Sequence, residues 1–306
     1  MTTDATNQIV LAVDVGGTTI KSEIADASGN VLASSRVPTP YGPGALDAIA
    51  AAGEELMASS GRRVDAAAVG LPGIVDRHGG IGILSSNVGW RDLPIADPLR
   101  TRWGLPVVAD HDVTLAGWAE WMLGAGRGVG DLSFVSIGTG ISATYVVGGR
   151  LVRGGAGQAG ELGHVPTCAG RRPCGCGARG CLETVASASS IERSYAERSG
   201  TAGVPAQDVI ARRGTDRIAA AVWREAIDAL ADGLTHVVHV FCPRRVVIGG
   251  GLSGAGDILT TALREAIDRR IRLVGVPEVV TGRFGARAGI VGVALLARVG
   301  STENEV

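Results

Sequence analysis

The chain has 306 residues, 45% of them hydrophobic, and a formal net charge of −1. That length fits two domains of about 150 residues each. The near-neutral balance argues against a nucleic-acid or membrane surface, both of which need clustered positive charge, and favours a small-molecule partner. After Met1 the stretch TTDATNQ is polar, with no secretory apolar region, and no apolar run reaches the ~18–20 residues of a membrane span. A cytoplasmic chain is expected.

In chain order, residues 9–15 (IVLAVDV) read as a buried strand running into Gly16-Gly17-Thr18-Thr19. IKSEIAD and VLASSRV alternate on either side of a Ser28-Gly29-Asn30 turn, giving three antiparallel strands. Residues 44–60 have helical spacing, and 66–70 form a short strand ending at Leu71-Pro72-Gly73. A strand at 106–109 leads through Asp110-His111-Asp112 into a helix over 113–123. The opening pattern then recurs: SFVSI (133–137), Gly138-Thr139-Gly140, ISATYVV, a Gly148-Gly149 turn and RLVRGG. Such an internal duplication points to two similar α/β domains facing each other, with ligands at strand ends between them. Further on come a long helix over 216–241, a strand over 245–248 ending at Gly249-Gly250-Gly251, and helices over 255–271 and 287–298.

Each of the three glycine turns follows a buried strand, where backbone N–H groups can approach a phosphate closely. No G-x-x-x-x-G-K-[ST] occurs, and the first turn lacks dinucleotide spacing. Asp14, directly before its turn, is placed to hold Mg²⁺ through water, or else caps its own turn. Lys21 is the only lysine in the chain. It either contacts phosphate or is a chance retention on a strand. Asp112 is a helix cap, a general base that takes the proton of an attacking hydroxyl, or both.

The five cysteines are Cys168, Cys174, Cys176, Cys181 and Cys242. His164, Cys174, Cys176 and Cys181 make the ligand set of a closed structural Cys₃His zinc site, with no open position for water. Glycines and arginines surround it, so the loop would order poorly without metal. Cys168 reads as a spare thiol and Cys242 as a core residue at a helix end. Glu161 and Glu183 flank the metal loop and suit sugar hydroxyls, which carboxylates bind in pairs. The bland alternative is that each is a surface or cap residue.

DVGGTTIK (14–21), GLPGIVD (70–76), NVGW (87–90), HDVTLAGWAEWMLGAGRG (111–128), IGTGI (137–141), GELGH (160–164), CGCGARGCLE (174–183) and VVIGGGLS (246–253) resemble the ROK family of bacterial sugar kinases and repressors over nearly the whole chain. The resemblance implies a two-domain actin-like ATPase (ribonuclease H-like) fold with ATP and sugar in the cleft. The N-terminal domain would span 1–110, completed by a helix over 287–300, and the larger C-terminal domain 111–286. It implies Asp112 as the base for the sugar's 6-hydroxyl, and sugar contacts from Asn87, His111, Glu161, His164 and Glu183. Gly17, Thr18, Thr139 and Gly140 would contact phosphate, Gly249-Gly250-Gly251 would pack the adenosine, and the chain would be a homodimer or homotetramer. The family usually has Asn where His111 stands, and Ile-Gly where Ile141-Ser142 stands. The Asp112–Glu120 spacing is kept.

These features give a hexokinase using ATP and Mg²⁺, with glucose ahead of N-acetylglucosamine or N-acetylmannosamine. A sugar-responsive repressor would carry a helix-turn-helix domain ahead of the first glycine turn, where only residues 1–13 precede Asp14, and a basic face. A catalytically dead sugar-binding protein is disfavoured by the retention of Asp112 and the glycine turns.

Overall fold

The computed structural model of the chain describes residues 8–167 and 171–300. Cys168 therefore lies outside the described residues. The chain divides into two compact units: one takes residues up to Ala119, 154–158 and the stretch from Arg287 on, and the other takes Glu120–Arg153 and Ala159–Ala286.

The first unit opens with β1 (Val10–Val15), β2 (Thr19–Ala25) and β3 (Val31–Pro38), followed by helix α1 (Gly44–Ser60) and β4 (Ala66–Leu71). Every residue of β1 and β4 is buried, as expected for parallel neighbours covered on both faces. Three short strands follow, β5 (Ile74–Asp76), β6 (Ile81–Ser85) and β7 (Trp90–Pro94), then α2 (Ala96–Trp103), β8 (Val107–His111) and α3 (Asp112–Leu123). The main sheet has the order β3-β2-β1-β4-β8, and β5-β6-β7 form a separate small sheet. Leu11, Val13, Ile20, Ile49, Val69, Leu99 and Val107 belong to one continuous core.

The second unit contains β9 (Leu132–Ile137), β10 (Ile141–Val147), β11 (Arg150–Val152), α4 (Glu183–Ala186), α5 (Ala188–Ser199), α6 (Ala206–Arg212), α7 (Arg217–Phe241), β12 (Arg245–Gly249), α8 (Asp257–Asp268) and β13 (Glu278–Thr281). Its sheet runs β11-β10-β9-β12-β13. In both sheets the opening strand pairs antiparallel with the next strand on one side and parallel with a later strand on the other. The two units thus share one topology, as the repeated strand–turn pattern predicts. The helix read over 255–271 is α8, Asp257–Asp268, preceded by a short 3₁₀ segment, Gly251–Ala255.

Helix α7 starts cleanly because the Asp216 carboxylate accepts from Ile218 N at 2.7 Å and Ala219 N at 3.2 Å, satisfying two of the amides a helix start leaves unpaired. It ends at Cys242, which corrects the core reading of that residue. Cys242 is exposed and occupies the left-handed cap position with φ 46°, where the chain turns off the helix.

The chain returns to the first unit in α9 (Ala288–Val299), which packs on β1 and β4. Gly292 permits this approach: a methyl there would lie 2.0 Å from the Leu115 carbonyl oxygen in α3. Among the described residues no helix is long and apolar enough to cross a membrane.

Glu120 is wholly buried, and its carboxylate accepts from Ala125 N (2.9 Å), Arg283 N (2.9 Å) and Phe284 N (2.7 Å). Gly124 and Gly282 leave room for it. Glu120→Ala would strand three amides without partners, each costing about 1–3 kcal/mol. A loss of about 3–5 kcal/mol in urea unfolding is expected. A variant as stable as the wild type would show that water replaces the carboxylate.

Candidate active site and metal centre

In the first unit the chemistry gathers around Gly70. Asp14 and Lys21 are directly opposed across the β1–β2 pair, and Lys21 Nζ lies 3.3 Å from Asp14 Oδ2. Burial pushes the Asp14 carboxyl above the ordinary carboxylate range, and the Lys21 ammonium works against that. A methyl on Gly70 would sit 3.6 Å from Asp14 Oδ1, and one on Gly289 only 2.9 Å from Asp14 Oδ2. Gly289 therefore opens the space the carboxylate occupies, while glycine at 70 makes room for Val293, 2.8 Å from the same methyl position. The same methyl position on Gly70 is 3.7 Å from the Asp112 Cα, so the strand residue between β1 and β8 adjoins both carboxylate-bearing positions.

The first glycine turn is held by Gly16 N donating to Thr19 O at 3.0 Å and by the Thr39 hydroxyl donating to Gly16 O at 2.8 Å. Gly17 and Thr18 are exposed. Asn87, also exposed, stands beside this turn, its Cβ 3.5 Å from a methyl placed on Gly17. Asp112 is the first residue of α3, and its Oδ1 accepts from Val113 N at 2.7 Å. His111 closes β8. Its Nε2 lies 3.3 Å from Asp112 Oδ1, and its Nδ1 lies 3.1 Å from Thr114 Oγ1.

Two features here were not singled out from the sequence. Asp110, 2% exposed, accepts from His111 N at 2.8 Å and lies 3.9 Å from Arg77 Nε, bracing the end of β8. Tyr41, an exposed ring, lies against Gly89, where a methyl would meet it at 2.4 Å. Gly42 N donates to Val88 O at 2.6 Å beside it. The acidic pair around His111 hinted at the first; nothing in the local pattern announced the second.

In the second unit the GELGH segment lies along β10. Methyls on Gly160 and Gly163 would sit 2.1 Å and 2.2 Å from the Ala143 and Ile141 carbonyl oxygens, so glycine at both positions lets the segment dock on the strand backbone. Docking fixes Glu161 and His164. His164 Nδ1 is 3.5 Å from Cys174 Sγ, while its Nε2 is 3.6 Å from Glu161 Oε2. Cys176 Sγ and Cys181 Sγ are 3.7 Å apart. The four candidate ligand atoms of His164, Cys174, Cys176 and Cys181 all lie within 4.8 Å of one another.

A tetrahedral zinc with bonds of about 2.3 Å to sulfur and 2.0 Å to nitrogen spaces sulfur pairs about 3.8 Å apart and sulfur–nitrogen pairs about 3.5 Å apart. The donor set fits that ion. Burial pushes the Cys174 thiol up to about 12, so ionising it calls for a cation beside it.

Glu183 opens α4. Its Oε1 accepts from Cys174 Sγ at 3.1 Å, and its Oε2 would be 2.9 Å from a methyl on Gly140. One carboxylate therefore touches both the cysteine cluster and the second glycine turn. That turn is closed by Gly138 N donating to Gly140 O at 2.9 Å and is joined to α5 by Ala188 N donating to Gly138 O at 2.8 Å. The Ser189 hydroxyl donates to Thr139 O, a contact not anticipated from sequence. In the third turn a methyl on Gly249 would strike Phe134 at 2.4 Å and one on Gly250 the Ile137 backbone at 2.5 Å, whereas Gly251 has no such neighbour. Packing accounts for the first two glycines, and only Gly251 faces open space.

Two sheets of one topology, each opening on a strand–glycine-turn–strand unit, define a two-domain α/β protein of the actin-like ATPase class. The ROK family model matches residues 10–299, and the chain belongs to the ROK family. It is 33% identical over 314 residues to a glucokinase of Streptomyces coelicolor, covering 95% of this chain and 98% of that one. It is 35% identical over 307 residues to a glucokinase of Thermotoga maritima, covering 94% and 97%. A ROK family glucokinase from Streptomyces griseus, solved in complex with glucose and AMPPNP, superposes with a TM-score of 0.86 at 31% identity, covering 95% of this chain and 100% of that one.

Proposed function

We propose that this chain is an ATP-dependent hexokinase that transfers the γ-phosphate of ATP to the 6-hydroxyl of a hexose, with glucose as the preferred acceptor. The observation that carries the reading is that Gly70 adjoins both the buried carboxylate of Asp14 and the backbone of Asp112, the first residue of α3. One suits the hydrated Mg²⁺ of a nucleotide; the other suits the proton of an attacking hydroxyl. As the sugar oxygen bonds to the γ-phosphorus, the bond from that phosphorus to its bridging oxygen breaks and ADP departs. The hydroxyl proton passes to Asp112.

Phosphate oxygens are received by backbone amides and hydroxyls of Gly16, Gly17 and Thr18 in the first unit and of Gly138, Thr139 and Gly140 in the second. Lys21 supports the charge through Asp14. Gly249, Gly250 and Gly251 form the adenosine turn, and Gly251 is the one that faces the nucleotide. Asn87, Glu161, His164 and Glu183 hydrogen-bond the sugar hydroxyls, with His164 using Nε2 for this because Nδ1 faces the cysteines. A zinc held by His164, Cys174, Cys176 and Cys181 supplies rigidity alone. A homodimer or homotetramer in the cytoplasm belongs to the same reading.

The test is a coupled assay of ADP release with MgATP over glucose, N-acetylglucosamine, N-acetylmannosamine, mannose and fructose. Glucose is expected to give the highest kcat/KM. Silence with every sugar would remove the kinase reading.

A further inference from the structure

We propose that His111 is a positioning residue for Asp112 and does not itself read the sugar, an inference that rests on the hexokinase reading. Its tautomer follows from its neighbours. Thr114 N donates to His111 Nδ1 at 3.4 Å, and a backbone N–H can only donate. Nδ1 therefore holds a lone pair, and the Thr114 hydroxyl at 3.1 Å adds a second donor to it. The ring proton resides on Nε2, and Nε2 lies 3.3 Å from Asp112 Oδ1.

Asp112 Oδ1 thus has two nitrogens beside it: Val113 N of its own helix, which donates to it at 2.7 Å, and His111 Nε2 at the end of β8, 3.3 Å away. A backbone amide on one side of Oδ1 and an imidazole nitrogen on the other restrict how the carboxylate can turn. A general base gains most when its accepting atom is held in place before the substrate arrives. The side chains of His111 and Asp112 are 16% and 25% exposed, so the imidazole and the carboxylate face each other with limited access for water. His111 keeps its own proton throughout, and the substrate proton ends on Asp112. With one ring nitrogen on Thr114 and the other on Asp112, the imidazole is committed to orienting the base.

The experiment compares His111→Leu and His111→Gln with the wild type, measuring kcat and KM by ADP release and sugar Kd by calorimetry. His111→Leu is expected to lose kcat by about 10–100-fold with every accepted sugar, while sugar Kd and the KM for ATP hold within about twofold. His111→Gln sets an amide N–H near the position of Nε2 and is expected to recover most of the loss. A weakened sugar Kd with kcat intact in His111→Leu would overturn the proposal and return His111 to hydroxyl reading.

A second measurement needs no variant. The long-range ¹H–¹⁵N spectrum of the wild-type imidazoles, five in the chain, is expected to show His111 as the Nε2–H tautomer at neutral pH. An Nδ1–H tautomer or an imidazolium would overturn it. A wild type inactive with all sugars removes the hexokinase reading and this inference together. A His111→Leu enzyme with wild-type kcat and Kd removes this inference alone.

Discussion

Asp112→Asn is expected to keep sugar affinity while kcat falls by about 10²–10⁴, equivalent to about 3–5 kcal/mol of transition-state stabilisation. The substitution is nearly isosteric, and an amide oxygen can still accept from Val113 N, the 2.7 Å bond that holds Oδ1. What it removes is the capacity to take up a proton. Binding that does not depend on proton transfer should survive, so a loss confined to kcat is the signature of a base. The alternative, that Asp112 only caps α3, predicts a drop in stability with little change in turnover per folded molecule. Calorimetric sugar binding, a thermal melt and steady-state kinetics on one preparation separate the two. Near-normal turnover would assign the base to another group.

Removal of the metal is expected to have the next largest effect. Purified protein should contain stoichiometric zinc by elemental analysis, and Cys176→Ser should lose metal and stability together. Cys176 is exposed, so the substitution opens no cavity, and any loss traces to ligation. The second unit has its own core, built from residues such as Val135, Leu182, Ile191, Leu230 and Leu263. The cost should therefore fall on the loop from His164 to Glu183 and amount to about 3–5 kcal/mol rather than complete unfolding. Because Glu183 touches both Cys174 and Gly140, sugar binding and the KM for ATP should worsen with it. Full stability without zinc would refute a structural metal.

The parts of the fold that were legible in the sequence are those whose pattern is long or sharply punctuated. Helix α1 and helix α7 run for 17 and 25 residues, and the strands before the three glycine turns are mostly apolar, broken only by residues such as Asp14, Ser133 and Ser136. Helix α5 was missed because ASSIERSYAERS buries Ser190 and Ser194 beside Ile191 and Tyr195, which blurs the apolar stripe. Strands β5, β6 and β7 have three to five residues with mixed burial, too short for an alternation to stand out. In the site, the cysteine cluster was readable because its ligands lie within 18 residues, 164 to 181. The gathering of Asp14, Gly70, Asp112 and Gly289 spans almost the whole chain, and no local pattern discloses it. The contact of His111 with Asp112 is a matter of rotamer, which residue type alone does not set.

The shared topology has a further consequence for how binding chemistry can change. In the first unit the segment joining β3 to β4 holds α1 alone; in the second, the corresponding segment from β11 to β12 holds the cysteine loop and α4 through α7. The partnering of β1 with β4, and of β9 with β12, depends on the strands and not on what is strung between them. Lengthening such a connection adds closure entropy only logarithmically. That slot is therefore a socket: recognition modules can be exchanged there while the strand scaffold and its leading turn stay as they are.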